Sequence, residues 1–412
     1  VERAAQRANA EGPEFAVLML GLDRFRAINA GLRNSAGERL LAEIGRRLEH
    51  ELRSRGWLAH LGGDEFAILL EGLEGPAEAA ELAERMLQAL ERPFWVEGHE
   101  VVVGARIGMA LGGTGYDDAE EAVRDAGTAL HRARALASPR YQVFDRAMRE
   151  SALARLRTET DLHRAIRRSE LSLRYQPIVD LATRRLTGFE ALIRWTHPTR
   201  GPLPPTEFIP VAEETGLIVP LGFWAVREAC RQGRAWLDRF RDAAVPISVN
   251  VSPRQLAAPD FVEQVRDILA ETGYPGRFLT LEITETALLG TAAVVAPRIE
   301  LLRALGVRVS MDDFGTGHSG LSLLHAVPID FLKIDRSFVA SIGVVAAGEA
   351  MVRTVVSLAR GLGMDVVAEG VEAADQLELL LGLSCRFAQG DLFSQPIPAA
   401  AAEEILERAR QW

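Results

Sequence analysis

Cysteine is nearly missing from this chain: Cys230 and Cys385 are the only two in 412 residues. So few, and so far apart, they supply neither a disulfide framework nor a thiolate metal site, and a reducing, cytosolic setting is expected. No apolar run approaches the roughly 18 to 20 residues that a membrane span needs. No signal-peptide pattern opens the sequence, which starts at Val1 and is compatible with a sensory or membrane-anchored part upstream. Positive charge is short as well: the formal net charge of -10 argues against a binder of nucleic-acid polymers, which concentrates cations to displace counterions. A small anionic ligand held by local cations remains open. Repeats and low-complexity tracts are lacking too, and 48% hydrophobic with 25% charged residues is the balance of a folded protein with sizeable cores.

What is present suggests two domains of unequal size, since even an α/β barrel reaches only about 250 residues. Residues 15–20 (FAVLML) read as a buried strand, 38–53 as a helix, and 57–70 (WLAHLGGDEFAILL) as a hairpin turning at Gly62-Gly63. A strand over 101–111, a helix near 119–136 and a last strand at 141–144 complete an α+β unit with a central sheet. The charged stretch from Asp145 to Arg168, free of Gly and Pro, reads as a connecting helix. The expected division is 1–147, a connecting helix 148–168, and 169–412.

From about 171, eight short apolar runs alternate with helical segments: LSLRYQPIV, LTGFEALIRW, VPISVNVS, FLTLEITE, VRVSMDDF, FLKIDRSF, MDVVAEGVE and CRFAQGDLF. This order predicts a β/α barrel, with antiparallel pairing of the first strand left open. Gln176, Glu190, Asn250, Glu282, Asp312 with Asp313, Lys333, Glu369 and Gln389 each read as falling late in a run. Strand ends converge on one face of a barrel, so groups spread over the sequence are expected to share one pocket. A lone carboxylate at a strand end is more often a helix cap or a loop residue. Eight successive runs with compatible ligand types point instead to divalent cations, and oxygen-only donors favour Mg²⁺ or Mn²⁺ over zinc. The Gly-rich FGTGHSG after Asp312-Asp313 suits a loop able to close over a ligand.

Residues 160–412 resemble an EAL domain, the hydrolase of cyclic di-GMP. The name-giving motif stands as Glu190-Ala191-Leu192, and YQPIVDL, SVNVS, LEITE, DDFGTG, KIDRSF, AEGVE and QGDLFSQP follow the family's order. The resemblance implies a modified TIM-like barrel that opens cyclic di-GMP to linear pGpG with two Mg²⁺ or Mn²⁺ ions. It implies Glu190, Asn250, Glu282, Asp312 and Asp313 as metal residues, and Glu190, Lys333 and Glu369 as catalytic residues. Gln176, Arg194, Asp335 and Gln389 would bind substrate. Glu285, Gly315, Thr316 and Gly317 would couple the loop to a homodimer contact. Three positions depart from the family's usual wording: His318, Gly320 and Asp391.

Residues 1–147 resemble a diguanylate cyclase (GGDEF) domain, on Gly62-Gly63-Asp64-Glu65-Phe66 and the upstream LDRFRAIN. That family needs a metal-binding carboxylate at the end of the first strand, where this chain has Gly21. Asn29, Glu38, Asp64 and Glu65 would be the remnant of a GTP site. Ala30, Arg33 and Asn34 depart from the NDxxGH wording, Ser138 stands where an Arg is expected, and Arg53-Ser54-Arg55-Gly56 lacks the Asp of the inhibitory motif. The expectation is a cyclase-inactive domain, with GTP binding open. A non-catalytic cyclic di-GMP receptor and a bifunctional cyclase/phosphodiesterase are the alternatives.

Overall fold

The structure is a computed structural model; it describes the chain apart from residues 1–13, 26–33, 54, 74, 97, 113–115, 117–118, 136–139, 289–291, 316–323, 325–326, 344–345 and 409–411. Two compact units divide between Leu156 and Arg157. The helix Arg146–Ala165 runs across that division in sequence.

In the first unit the central strand is β1 (Glu14–Leu22). Its neighbours are β2 (Gly56–Gly62), β3 (Glu65–Leu73), β6 (Ala105–Leu111) and β7 (Tyr141–Val143), in the order β2-β3-β1-β6-β7. All pairings are antiparallel except β6 with β7. After Glu14, β1 is apolar because both its faces are covered. Leu18, Leu20 and Leu22 face the helices Asn34–Leu52 and Pro76–Glu91, while Phe15, Val17 and Met19 face the helix Ala119–Ala135. The helix Pro76–Glu91 is absent from the expectations above, although Ala79, Leu82, Ala83, Met86, Leu87 and Leu90 repeat at helical spacing and are buried.

The expected strand 101–111 is two strands. The short hairpin β4 (Phe94–Val96) and β5 (His99–Val101) ends before β6 begins at Ala105. The break is pinned by Asp23, whose N–H donates to the Gly104 carbonyl at 2.8 Å and whose Oδ2 lies 2.8 Å from where a Cβ of residue 104 would stand.

The second unit is the barrel. β8 (Leu171–Asp180), β9 (Arg185–His197), β11 (Ile247–Val251), β12 (Leu279–Thr284), β13 (Arg308–Phe314), β14 (Phe331–Ile334), β15 (Asp365–Ala368) and β16 (Phe387–Ala388) close into a ring, with β10 (Gly201–Leu203) flanking β9. β9 and β11 to β16 are parallel, whereas β8 is antiparallel to both β9 and β16. Only a tight turn separates β8 from β9, too short for a crossover helix, and the Asp180 carboxylate fastens it by accepting from the Thr183 N–H (2.8 Å) and hydroxyl (3.0 Å). Outside the ring, Trp236 is buried against the rings of Tyr175 and Phe189, at 4.8 and 5.3 Å between centroids.

Two glycines of the first unit are expected to respond oppositely to Ala. A Cβ at Gly108 would lie 2.0 Å from the Leu130 backbone nitrogen, and a helix backbone cannot swing aside. Gly108→Ala should therefore lower the denaturant midpoint by about 1–3 kcal/mol of stability. Gly127, inside that same helix, has nothing within 4 Å of its Cβ position, so Gly127→Ala should add about 0.5–1 kcal/mol.

Candidate active site of the barrel

Lys333, on β14, is the single lysine among 47 lysine and arginine residues; every other one is arginine. Its ammonium is 1% exposed and meets Glu282 Oε2 at 2.7 Å, Glu190 Oε2 at 3.4 Å, Asp312 Oδ1 at 3.5 Å and Glu369 Oε1 in close contact. These carboxylates come from β9, β12, β13 and the residue after β15, so strand convergence creates the cluster. The amides complete it: Asn250 Nδ2 donates to Glu190 Oε1 (2.7 Å), and Gln389 Nε2 donates to Glu190 Oε2 (2.6 Å) and Glu369 Oε1 (3.2 Å).

Positions within the strands differ from the expectation of late placement. Gln176 and Glu190 lie in mid-strand and pair directly across the antiparallel β8–β9 register. Glu369 and Gln389 fall just past β15 and β16. Reversal of β8 accounts for Gln176, which it places at the level of Glu190 through the hairpin instead of through a strand end.

Burial and mutual repulsion dominate the electrostatics. Burial alone would lower the Lys333 pKa, but the carboxylates of Asp312, Glu190, Glu282 and Glu369 raise it well above the usual lysine range. Glu190 is penalised by burial, yet Lys333 and its amide donors hold its carboxyl below the usual range. Burial and the Glu190 charge push Glu282 well up. Burial raises Glu369 to about 8. Asp313 is raised by burial and by Asp312, and its backbone sits at a φ of 55°, in the left-handed region. Carboxylates held up in this way are short of positive charge.

The donor set fits divalent cations. Glu190, Glu282, Asp312, Asp313 and Glu369 against one ammonium leave four negative charges, which two divalent ions would neutralise. Ligand oxygens of Asp312, Asp313 and Glu369 all lie within 4.8 Å of one another. The buried Gln389 Oε1 has no hydrogen-bond partner and is free to accept from a bound water or ligand. Oxygen donors alone suit Mg²⁺ or Mn²⁺.

Around this centre, Gln176 Nε2 donates to the Ser394 carbonyl at 3.2 Å. Arg194 is half-buried, its guanidinium donating to the Ile193 carbonyl at 2.8 Å. Asp335 caps the helix Arg336–Ala340 through the Ser337 N–H at 3.0 Å, a structural role beside any contact with substrate. Buried Glu285 accepts from the Gly315 N–H at 3.1 Å, tying the end of β12 to the start of the loop after Asp313. Thr316, Gly317, His318 and Gly320 lie outside the described residues. Asp391 is exposed and accepts from Gln395 Nε2 at 3.2 Å.

In the first unit, Asp64 and Glu65 sit at the β2–β3 turn, where Gly62 (φ 112°) and Gly63 (φ 60°) take backbone conformations that favour glycine. Arg134, which the motifs do not single out, bridges both acids, Nη2 to Asp64 Oδ2 at 2.9 Å and Nη1 to Glu65 Oε1 at 3.1 Å. Its guanidinium lies 2.1 Å from where a Cβ of residue 21 would be, so it occupies the space left by Gly21. Glu38 lines a cavity of about 390 Å³ with Gly45, His60 and Phe66. Asn29, Ala30, Arg33 and Ser138 lie outside the described residues.

Removing the Lys333 ammonium leaves buried carboxylates without a counter-charge. Lys333→Met should cost about 3–5 kcal/mol in denaturant unfolding, and added Mg²⁺ should raise the Tm of this variant more than that of the parent. Lys333→Arg should also destabilise, by about 1–3 kcal/mol, because a planar guanidinium cannot replace a compact ammonium among four carboxylates.

Residues 159–396 match the family described as EAL domain, and residues 1–138 match the diguanylate cyclase GGDEF domain. Over 97% of its length the chain is 39% identical to the bifunctional diguanylate cyclase/cyclic di-GMP phosphodiesterase MucR and 38% identical to the cyclic di-GMP phosphodiesterase NbdA, both of Pseudomonas aeruginosa. It spans 58% and 51% of those proteins. The solved structure of the PaMucR phosphodiesterase in complex with c-di-GMP is similar at a TM-score of 0.58 and 41% identity, over 60% of this chain and 99% of that one. The chain belongs to the EAL family and carries a GGDEF domain ahead of its EAL barrel.

Proposed function

We propose that the barrel hydrolyses cyclic di-GMP to linear pGpG. The observation that carries the reading is the buried Lys333 among Glu190, Glu282, Asp312 and Glu369, with Asp313 and Asn250 alongside, in a barrel similar to a phosphodiesterase solved in complex with that dinucleotide. Retention of all these groups favours an enzyme over a receptor.

Glu190, Asn250, Glu282, Asp312 and Asp313 would hold two Mg²⁺ or Mn²⁺ ions. Bound there, the ions supply an activated water and neutralise charge on the phosphate oxygens. In the reaction a water oxygen bonds to phosphorus, the bond to the ribose 3′ oxygen breaks, and the leaving oxygen ends protonated. Glu369, held by Lys333 and by the Gln389 amide, is read as the group that takes the water's proton. The Lys333 ammonium, its N–H groups directed at Glu190, Glu282 and Glu369, would contribute a fixed positive charge against the developing phosphate charge. The Arg194 guanidinium suits a second phosphate oxygen pair, and Gln176, Asp335 and Gln389 would contact the rest of the dinucleotide. Glu285, through Gly315, would transmit loop position toward Thr316, Gly317 and a homodimer contact.

The first unit is read as cyclase-inactive. Gly21 supplies no carboxylate, and Arg134 holds a guanidinium beside Asp64 and Glu65, where the family places a cation. The ion pairs are about one-third exposed and worth only about 0–1 kcal/mol, so GTP could still be accommodated beside Glu38 and act on the barrel from there.

Incubated with cyclic di-GMP and Mg²⁺ or Mn²⁺, the chain should release pGpG, and Glu190→Gln should lower turnover by more than about 100-fold, beyond the usual loss from an outer-shell ligand partner. Tight binding without turnover in either metal would make it a receptor. Incubated with GTP, it should form no cyclic di-GMP; accumulation of that product would establish the bifunctional reading.

A further inference from the structure

Below the acid cluster the barrel interior changes character from one side to the other. Successive inward residues on a strand are two apart. Two residues before Glu190, Asn250, Glu282 and Asp312 stand Gly188, Ser248, Thr280 and Ser310, and all four line one cavity of about 80 Å³. Phe331, Val367 and Phe387, at the same step before Lys333, Glu369 and Gln389, form its other wall. Barrel interiors are ordinarily filled by bulky branched side chains. Here glycine and small hydroxyl residues leave space under the acidic strands alone.

That space is mostly apolar, but its hydroxyl-bearing side is polar and its hydrogen bonding is incomplete. Ser310 is 2% exposed and its hydroxyl has no hydrogen-bond partner, nor has Arg308 Nε on the same wall. A buried hydroxyl without a partner is uncommon, and ordered water is its usual remedy. A cavity of this size has room for several waters. Glu282 is part of the wall too, and its bond to Lys333 uses Oε2.

We infer that the cavity holds an ordered water cluster, bound by the hydroxyls of Ser248, Thr280 and Ser310, that donates to the Glu282 carboxylate from inside the barrel. Outer-shell donors of this kind fix the orientation of a ligating carboxylate. Ser248, Thr280 and Ser310 are thus positioning residues, acting through water and Glu282. The effect on metal binding rests on the reading of Glu282 as a metal residue.

Two substitutions at one position separate this role from packing. Thr280→Val keeps the shape and removes the hydroxyl; Thr280→Ser keeps the hydroxyl and removes a methyl. Calorimetric titration of the full chain with Mn²⁺, without substrate, should show affinity about tenfold weaker for the Val variant and near the parent for the Ser variant. A packing role gives the reverse order and would overturn the inference. A high-resolution crystal structure of the metal-free parent should show the waters; a dry cavity would also overturn it. If the parent takes up no Mn²⁺, the hydrolase reading fails by itself, and the density in the cavity still decides whether the water cluster exists.

Discussion

One buried ammonium against several buried carboxylates is the constraint around which the barrel is organised. Carboxylates brought together away from water repel one another and lose hydration, and either cost exceeds what a surface ion pair returns. The Lys333 ammonium answers both by standing among Glu190, Glu282, Asp312 and Glu369, which arrive from four places in the sequence. The chain otherwise uses arginine for every basic side chain of this length. Its retention of lysine here follows from shape: an ammonium donates in three directions from a point, whereas a guanidinium presents a flat fork.

The reversed first strand serves the same constraint. Were β8 parallel, a crossover helix would separate it from β9, and Gln176 would reach the site only from a strand end. As a hairpin, β8 sets Gln176 opposite Glu190 in the register while its far end pairs with β16 and closes the ring. Gln389, one residue past β16, then donates to Glu190 and Glu369 across the closure. Ring closure and site assembly are therefore one event in the fold.

Motifs made the chemistry legible because the residues that carry it are unusual: a run of apolar strands each interrupted by one Glu, Asp, Asn, Gln or Lys has few structural explanations. The direction of β8 was not legible, since a strand's apolar pattern is the same read up or down, and only the short Asp180–Arg185 turn decides it. The split of 101–111 was hidden for a related reason: three successive valines satisfy a hairpin edge and a central sheet alike, and Asp23, far away in sequence, breaks the run. Arg134 is not legible in the sequence because its importance lies in a vacancy, the missing side chain of Gly21. The single lysine of the sequence is itself a signal for position 333.

The two acid clusters of the chain face the same electrostatic problem with different stakes. Asp64 and Glu65 lie at a turn, with side chains 29% and 38% exposed, so water and salt already screen them and an arginine lying against them is sufficient. The absence of a carboxylate at position 21 strands no buried charge there. In the barrel Glu190, Glu282 and Asp312 are buried, and the neutralising charge is part of the fold. Substitution of any one of them by a neutral group alters the balance among all the others, through Lys333. An exposed site of this kind can lose its chemistry while its fold persists, whereas the buried one holds fold and chemistry through the same contacts.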